Sequence, residues 1–184
     1  RTLREIYLPA SEMAVKEGKV ASVMAAYNQL NGQHCTENDF LLNKVLKKEW
    51  HFNGFVTSDF GAVHSTVLCI KNGLDLELPD DKYFGQALKT AVENKEVSES
   101  ELDEKLIRRF STMMKFGVWD KMPDRKAIPA ENADYAKKLS EDGMVLLKNE
   151  KDLLPLSKEQ IHSIALIGPY SAKASTGGGG SSRV

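Results

Sequence analysis

Short apolar runs alternate with amphipathic helical patterns over the first part of the chain, and this order leaves few possible folds. The runs cover 20–27, 54–59 and 74–78, and a helical pattern separates each run from the next. Alternating strands and helices with short turns imply parallel strands that are joined by crossovers and covered by the helices. The sequence therefore predicts an α/β fold in which the turns after the strands share one rim of the sheet.

Apolar residues at helical spacing predict several helices before residue 120. The predicted helices cover 3–18, 41–50, 63–71, 83–94 and a segment that begins at Ser98. Ser98 and Glu101 match the S-x-x-E capping box that starts many helices. The face of this last helix that is expected to enter the core carries Leu102, Leu106, Ile107, Phe110, Met113 and Met114.

The stretch 54–62 ends a predicted strand on a carboxylate. By alternation Phe55, Thr57 and Asp59 share one face of this strand, and Val56 and Ser58 share the other. A carboxylate at the C-terminal end of a strand, just before a turn into a helix, is where parallel α/β folds place catalytic groups. Ser and Asp are also the preferred N-cap residues, and on spacing alone capping of the next helix is the more common role.

The composition argues against several classes of partner. Of the 184 residues 41% are hydrophobic, and the formal net charge of −1 with interspersed signs gives no basis for binding nucleic acid or an anionic membrane. No apolar run approaches the ~18 residues of a membrane span. Cys35 and Cys69 lack metal-ligand spacing, so we expect two buried free thiols.

The pattern changes after Trp119. Residues 120–130 hold prolines and charges without periodicity, as a linker does. A helix over 130–141 and strands over 144–148 and 164–169 are predicted next, as the beginning of a second α/β unit. Arg1 is not a start residue, and the glycine-rich end has no closing element. We therefore expect this chain to be part of a longer protein, called the parent protein below, whose compartment the sequence leaves open.

Several stretches resemble glycoside hydrolase family 3, the β-glucosidase-like enzymes. The matching stretches are 3–9, 23–28 with 31–32, 41–50, 54–59, 72–79, 145–149 and 177–184. Each stretch alone is a weak signal, but the ordered set covers nearly the whole chain. The resemblance implies the C-terminal part of a (β/α)8-like barrel over 1–119, a linker over 120–130, and the start of an α/β sandwich domain over 131–184.

The resemblance also implies a retaining β-glycosidase that needs no cofactor and hydrolyses terminal non-reducing β-linked sugars through a glycosyl-aspartate. Asp59 matches the family's nucleophile, and Tyr27 and Met24 match residues that line the sugar pocket. A hydroxyl such as that of Tyr27 is expected to donate to the ionised Asp59 carboxylate. Phe60 stands where the family commonly has Trp, which keeps a stacking face but loses the indole N–H donor.

Two parts of the implied site are expected outside this chain. A retaining glycosidase holds two carboxyl groups ~5–5.5 Å apart, and the family's acid/base glutamate is expected beyond Val184. The family's Lys-His sugar-binding motif is expected before Arg1. The chain alone is therefore expected to be inactive, because the rest of the parent protein completes the barrel and supplies the acid/base.

Other interpretations of the acidic and histidine residues stay open from sequence. The chain could be a non-catalytic carbohydrate-binding or structural remnant, or it could use Asp75 and Glu77 in a different barrel chemistry with a metal. Structural carboxylates at the barrel end are the simpler interpretation of that pair. Glu37 is a conceivable substitute acid, although a charge on the rim or in a first helical turn explains it as well. The histidines match no catalytic or metal pattern, and no metal site is predicted; they are His34, His51, His64 and His162.

Overall fold

Helices and short strands alternate as the sequence predicts. The computed structural model describes residues 1–120 and 131–173. The strands are β1 (Ser22–Ala25), β2 (Gln29–Leu30), β3 (Gln33–His34) and β4 (Phe55–Ser58). The helices are α1 (Leu3–Tyr7), α2 (Pro9–Lys16), α3 (Phe40–Glu49), α4 (Val67–Asn72), α5 (Gln86–Glu93), α6 (Glu99–Lys115) and α7 (Glu131–Asp142), of which α1 and α3 are π-helical. The chain divides into two units, Arg1–Arg125 and Lys126–Val184, and each is described by itself.

A parallel pair of strands forms the centre of the first unit. β1 and β4 pair in parallel with Met24 opposite Thr57, and a parallel bridge joins Thr57 to Leu76. The predicted parallel α/β arrangement is thus confirmed, but the predicted strand 74–78 is reduced to that bridge. Two side chains explain the reduction, because they take hydrogen bonds that a carbonyl oxygen of the ladder would otherwise accept. Asp75 Oδ2 accepts from the Val56 N–H at 2.7 Å, and Ser58 Oγ accepts from the Leu78 N–H at 2.8 Å.

The loop after β1 closes as a small hairpin. β2 and β3 pair antiparallel across Asn31 and Gly32, whose φ angles are 51° and 81°. Two successive positive φ angles are typical of the turn that Asn-Gly favours. Asn31 and Gly32 thus form the hairpin turn that their sequence favours.

The predicted apolar stripe of α3 enters the core of the first unit. Leu42, Val45, Leu46 and Trp50 are buried there together with Val56 of β4. The helix begins after Asn38, whose Oδ1 accepts from the Leu41 N–H at 3.0 Å. Short-range sequence signals therefore determine both the start and the buried face of this helix.

Helix α6 begins as predicted but buries a different face. The capping box of Ser98 and Glu101 is present. Ile107 and Met114, predicted to enter the core, are 63% and 55% exposed, whereas Lys105 and Thr112 are buried. The predicted core face is wrong in this respect, because Lys105 turns inward to the Asp75 carboxylate and Thr112 is buried with its hydroxyl bonded to the Arg108 carbonyl oxygen of the same helix.

A buried charge cluster joins α3 and α6 to the segment 74–78. The Asp75 carboxylate is fully buried, with Lys47 Nζ of α3 at 2.9 Å and Lys105 Nζ of α6 at 3.7 Å. Lys47 also donates to the Gly73 carbonyl oxygen at 2.7 Å. Asp75 was expected as a structural carboxylate at the end of the barrel. It points instead into the helix layer, where the two lysines and the Val56 N–H satisfy its oxygens.

Burial lowers the pKa of Lys47 from 10.5 to about 8, with repulsion from Lys105 adding to the effect and attraction to Asp75 opposing it. Between these two pH values the unfolded chain binds more protons than the folded one. The contribution of Lys47 to the free energy of unfolding therefore increases with pH across this window, by up to about 3 kcal/mol. Below pH 8 the contribution is constant, because both states are then protonated.

We expect the thermal midpoint of the parent protein to increase from pH 8 to pH 10 relative to that of a Lys47→Met variant. The exposed Lys44 on the same helix provides the control, and Lys44→Met should follow the wild type in parallel. Calorimetry at several pH values measures both differences. Parallel curves for the wild type and Lys47→Met would contradict the prediction.

The second unit has one regular helix in its described part. α7 was predicted and is confirmed, but the strands predicted over 144–148 and 164–169 are absent. Leu147 and Ile167 in these segments are 92% and 93% exposed. A strand needs a hydrogen-bonded neighbour, and none pairs with these segments within 131–173. The predicted linker after Asp120 and the matching stretch 177–184 lie outside the described residues.

Candidate functional site

Asp59 follows β4 directly and lies at the C-terminal end of the parallel pair. Its N–H donates to the carbonyl oxygen of Ala25, the last residue of β1, at 2.9 Å. The interpretation of Ser58 or Asp59 as an N-cap is wrong, because α4 begins only at Val67 and its N-cap is Thr66. Asp59 is therefore a carboxylate on the strand rim without a capping role at that helix.

The Asp59 carboxyl group has one oxygen engaged within the loop. The N–H of Phe60 donates to Asp59 Oδ1 at 2.7 Å. No hydrogen bond to Oδ2 is formed by the residues that the structure describes. The donor expected from Tyr27 is thus replaced by a backbone amide, which orients the carboxyl group and leaves the second oxygen accessible.

Alternation along the paired strands places Met24 and Asp59 on one face of the sheet. Met24 and Thr57 are lateral neighbours on this face, and Asp59 continues it two residues after Thr57. Met24 is 58% exposed, whereas Val56 and Ser58 on the opposite face are buried under the helices. The face that carries Asp59 is therefore open, and the helix-covered face is closed.

Tyr27 lies on the loop after β1 with its ring exposed. Its carbonyl oxygen accepts a hydrogen bond from His34 Nδ1 at 3.3 Å, and the His34 ring stacks on His64 with the centroids 3.8 Å apart. Since His64 lies a few residues after Asp59, the stacked rings connect the loop after β1 with the loop after β4. The structure thereby brings the loops of Tyr27 and Asp59 together at one rim.

The four predicted site residues do not share one closed cavity. A cavity of about 580 Å³ lies against β1, where Val23 and Met24 line it together with side chains of α1 and α3. Asp59, Tyr27 and Phe60 are not among its lining residues. Phe60 is 58% exposed beside Asp59. Within the described residues the candidate site is thus an open rim, with Asp59 and Phe60 on one loop and Tyr27 on its neighbour.

The other candidate carboxylates are engaged in structural contacts. Glu77 is buried and accepts from the N–H groups of Tyr83 and Phe84 at 2.9 and 2.6 Å, which organises the loop after 74–78. Glu37 accepts from the Ser65 hydroxyl. Residues 1–120 and 131–173 contain no group of three or more His, Cys, Asp or Glu placed to hold a metal ion. Cys35 and Cys69 are free thiols, and burial raises the pKa of both. Among the described helices, none has the length and apolar character that crossing a membrane requires.

Sequence reasoning missed the role of Ser58. Its hydroxyl accepts from the Leu78 N–H at 2.8 Å and donates to the Leu78 carbonyl oxygen at 3.3 Å, and the residue is 1% exposed. The alternation placed Ser58 on the same face as Val56, which the structure shows to be buried, and a buried hydroxyl needs a specific hydrogen-bond partner. The partner itself depends on the register with 74–78, which the sequence does not specify.

Two family models match the chain in order. The model described as "Glycosyl hydrolase family 3 N terminal domain" matches residues 1–112, and the one described as "Glycosyl hydrolase family 3 C-terminal domain" matches residues 144–184. A β-glucosidase from Rhizobium radiobacter is 42% identical over 100% of this chain and 23% of its own length. The thermostable β-glucosidase B from Acetivibrio thermocellus is also 42% identical, over 100% of this chain and 24% of its own length. The chain thus spans about a quarter of the length of these relatives.

Two of the solved structures that this chain resembles are also β-glucosidases. β-Glucosidase 3B from Thermotoga neapolitana, in complex with alpha-D-glucose, aligns with a TM-score of 0.68 at 37% identity, over 85% of this chain and 23% of that one. DesR, a β-glucosidase from Streptomyces venezuelae in complex with D-glucose, aligns with a TM-score of 0.66 at 40% identity, over 85% of this chain and 22% of that one.

Proposed function

The chain belongs to glycosyl hydrolase family 3, and from this premise we propose that it forms a section of a retaining β-glycosidase. The reaction is the hydrolysis of terminal non-reducing β-linked sugars, with a β-glucoside or an oligosaccharide as substrate. The observation that carries this proposal is the position of Asp59, a carboxylate at the carboxyl end of a parallel strand whose second oxygen accepts no hydrogen bond from a described residue. The glucose bound in two of the related structures supports a small sugar as ligand.

The section contains, in this proposal, the C-terminal part of a (β/α)8-like barrel over 1–119, a linker over 120–130, and the beginning of an α/β sandwich domain over 131–184. The parallel pairing of β1, β4 and Leu76 supports the barrel part, because barrel strands are parallel and carry helices on their outer face. The open face with Met24 and Thr57 corresponds to the barrel interior. Strands of the parent protein outside this chain would cover it.

Asp59 acts as the nucleophile in the proposed mechanism. Its free Oδ2 attacks the anomeric carbon, and the bond from that carbon to the leaving oxygen breaks. A general acid supplied by the parent protein outside this chain protonates the leaving oxygen, and the same group later activates the water that hydrolyses the glycosyl-aspartate. The Phe60 N–H holds the carboxyl group in place throughout.

The remaining site residues bind the sugar. The Phe60 ring is exposed beside the nucleophile and offers an apolar face to a pyranose or an aglycone. Tyr27 contributes from the neighbouring loop, which the contact between its carbonyl oxygen and His34 fixes in place. Met24 supplies apolar surface on the same face of the sheet as Asp59, beside Thr57.

The labelling of Asp59 tests the proposal directly. We expect a 2-deoxy-2-fluoro-β-glucoside with an activated leaving group to inactivate the parent protein and to label the peptide that contains Asp59, because the fluorine slows hydrolysis of the covalent intermediate. Peptide mass spectrometry locates the label. Rapid turnover of ordinary β-glucosides with the label on any other peptide would refute the assignment of Asp59. The absence of both turnover and label would favour a non-catalytic remnant.

The chain expressed alone should be inactive under this proposal. Under this proposal the acid/base and the remaining barrel strands belong to other parts of the parent protein, and within the described residues one face of the sheet is open. Exposed apolar residues such as Ile107 and Met114 of α6 make aggregation the expected behaviour.

A further inference from the structure

Ser58 links the end of β4 to the neighbouring segment through its side chain. The hydroxyl both accepts from the Leu78 N–H, at 2.8 Å, and donates to the Leu78 carbonyl oxygen, at 3.3 Å. The side chain is almost completely buried. A hydroxyl has one donor, and that donor is used here. Replacing this group with a methyl would leave the N–H and the carbonyl oxygen of Leu78 without these contacts.

The Ser58 hydroxyl replaces one backbone hydrogen bond of the ladder between β4 and the segment 74–78. The Ser58 N–H donates to the Leu76 carbonyl oxygen at 2.9 Å, as in an ordinary parallel ladder. In an ordinary ladder the next bond would join the Leu78 N–H to the Ser58 carbonyl oxygen. The hydroxyl accepts this bond instead, so β4 stays attached to Leu78 by a side chain while its backbone leaves the ladder at the next residue.

The residue after Ser58 is Asp59, whose backbone N–H is bonded to the neighbouring strand β1. The Asp59 N–H donates to the Ala25 carbonyl oxygen of β1 at 2.9 Å. The peptide unit between Ser58 and Asp59 is therefore fastened to β1 by its N–H and to Leu78 by the preceding side chain. Two attachments on opposite sides restrict both the translation and the rotation of the backbone that carries the carboxyl group.

We propose that Ser58 is a positioning residue for the nucleophile, which acts through the backbone of Asp59 and does not touch the substrate. This inference rests on the proposed function of Asp59. A displacement of the reacting atom by about 1 Å can lower a rate on the order of 10²-fold. Ser58 therefore contributes to the rate of the covalent step and leaves substrate binding nearly unchanged.

The test measures the covalent step separately from binding. The parent protein and its Ser58→Ala variant are inactivated with the 2-deoxy-2-fluoro-β-glucoside over a range of concentrations, which gives a limiting rate of labelling, ki, and a dissociation constant, KI. We expect Ser58→Ala to lower ki by about 10- to 100-fold and to change KI by less than about threefold. Ser58→Thr, which keeps the hydroxyl, should recover most of ki.

Thr112→Val is the matched control. Thr112 is also buried, and its hydroxyl donates to the Arg108 carbonyl oxygen at 2.7 Å inside α6. Its removal should lower the thermal midpoint without lowering ki. If Ser58→Ala does not fold, the same constants are measured on Ser58→Cys, whose thiol fills the site but forms weaker hydrogen bonds, and a smaller loss of ki is expected.

The possible outcomes separate the two proposals. A ki within twofold of the wild type, an effect on KI alone, or an equal loss of ki in Thr112→Val would overturn the role of Ser58, while Asp59 would remain the labelled residue. If the wild-type protein carries no label on Asp59, the proposed function itself fails. A selective loss of ki with the label still on Asp59 supports both.

Discussion

Replacement of Asp59 by Asn in the parent protein should lower kcat for an aryl β-glucoside by at least about 10⁴-fold, because the groups of a catalytic set act as a unit and the rest cannot replace a missing nucleophile. The asparagine side chain would keep the size of the original and would still accept from the Phe60 N–H through its amide oxygen. The loss would therefore reflect the missing negative oxygen and not a collapse of the loop. Steady-state kinetics measures the loss of kcat. A thermal midpoint within a few degrees of the wild type would show that the variant is still folded.

Azide supplies a sharper test with the smaller Asp59→Gly variant. The vacated space lets azide attack the anomeric carbon of an activated aryl β-glucoside directly, which yields an α-glycosyl azide and restores release of the phenol. Asp80→Asn is the matched control, since Asp80 is an exposed carboxylate after the neighbouring segment and should retain wild-type activity. Azide that restores no activity, or an Asp80→Asn variant as impaired as Asp59→Asn, would argue against a nucleophile at position 59.

The position of Asp59 was predictable because its signals are local. A period-two strand pattern, a carboxylate where that pattern stops and a glycine after it are all visible within 54–62. The buried stripe of α3 and the capping box of α6 were predictable for the same reason. Each depends on residues within a few positions of one another, so no knowledge of the tertiary structure was needed.

The strand predictions failed where a strand needs distant partners. The segment 74–78 has a clean alternation, but side chains of Asp75 and Ser58 take the ladder bonds on either side of its single bridge. The segments 144–148 and 164–169 are apolar, yet strand geometry requires a neighbour that the described residues do not provide. A hydropathy pattern reports which residues avoid water, and it does not report which backbone groups will pair.

The core face of α6 was mispredicted because burial there follows charge pairing. The apolar spacing favoured Ile107 and Met114, but Lys105 turns inward to the carboxylate of Asp75. Lys47 of α3 turns inward to the same carboxylate. Partners separated by this much sequence leave no periodic signal, so only the three-dimensional structure identifies the cluster.

Asp75→Asn is expected to destabilise the parent protein by about 3–5 kcal/mol, because two buried lysines would lose the charge that compensates them. The side chains of Lys47 and Lys105 are only 7% and 6% exposed, so neither reaches water without local unfolding. The Val56 N–H would retain an acceptor in the Asn amide oxygen. The amide NH2 group would then face Lys47 and could not accept its hydrogen bond, so the variant loses this bond together with the charge. Differential scanning calorimetry measures the effect as a fall in the thermal midpoint of the transition that includes this unit.

Two further variants distinguish charge compensation from packing. Asp103→Asn removes an exposed carboxylate from α6 and should change the midpoint little. Asp75→Leu combined with Lys47→Met and Lys105→Met replaces the whole cluster by apolar groups, and it should recover part of the stability lost in Asp75→Asn, since a well-packed apolar substitute for buried ions is often neutral or better. Val56 then loses its acceptor, which limits the recovery by about 1–3 kcal/mol. If the triple variant is less stable than Asp75→Asn, the cluster contributes through its hydrogen bonds and shape, and charge compensation is not its main role.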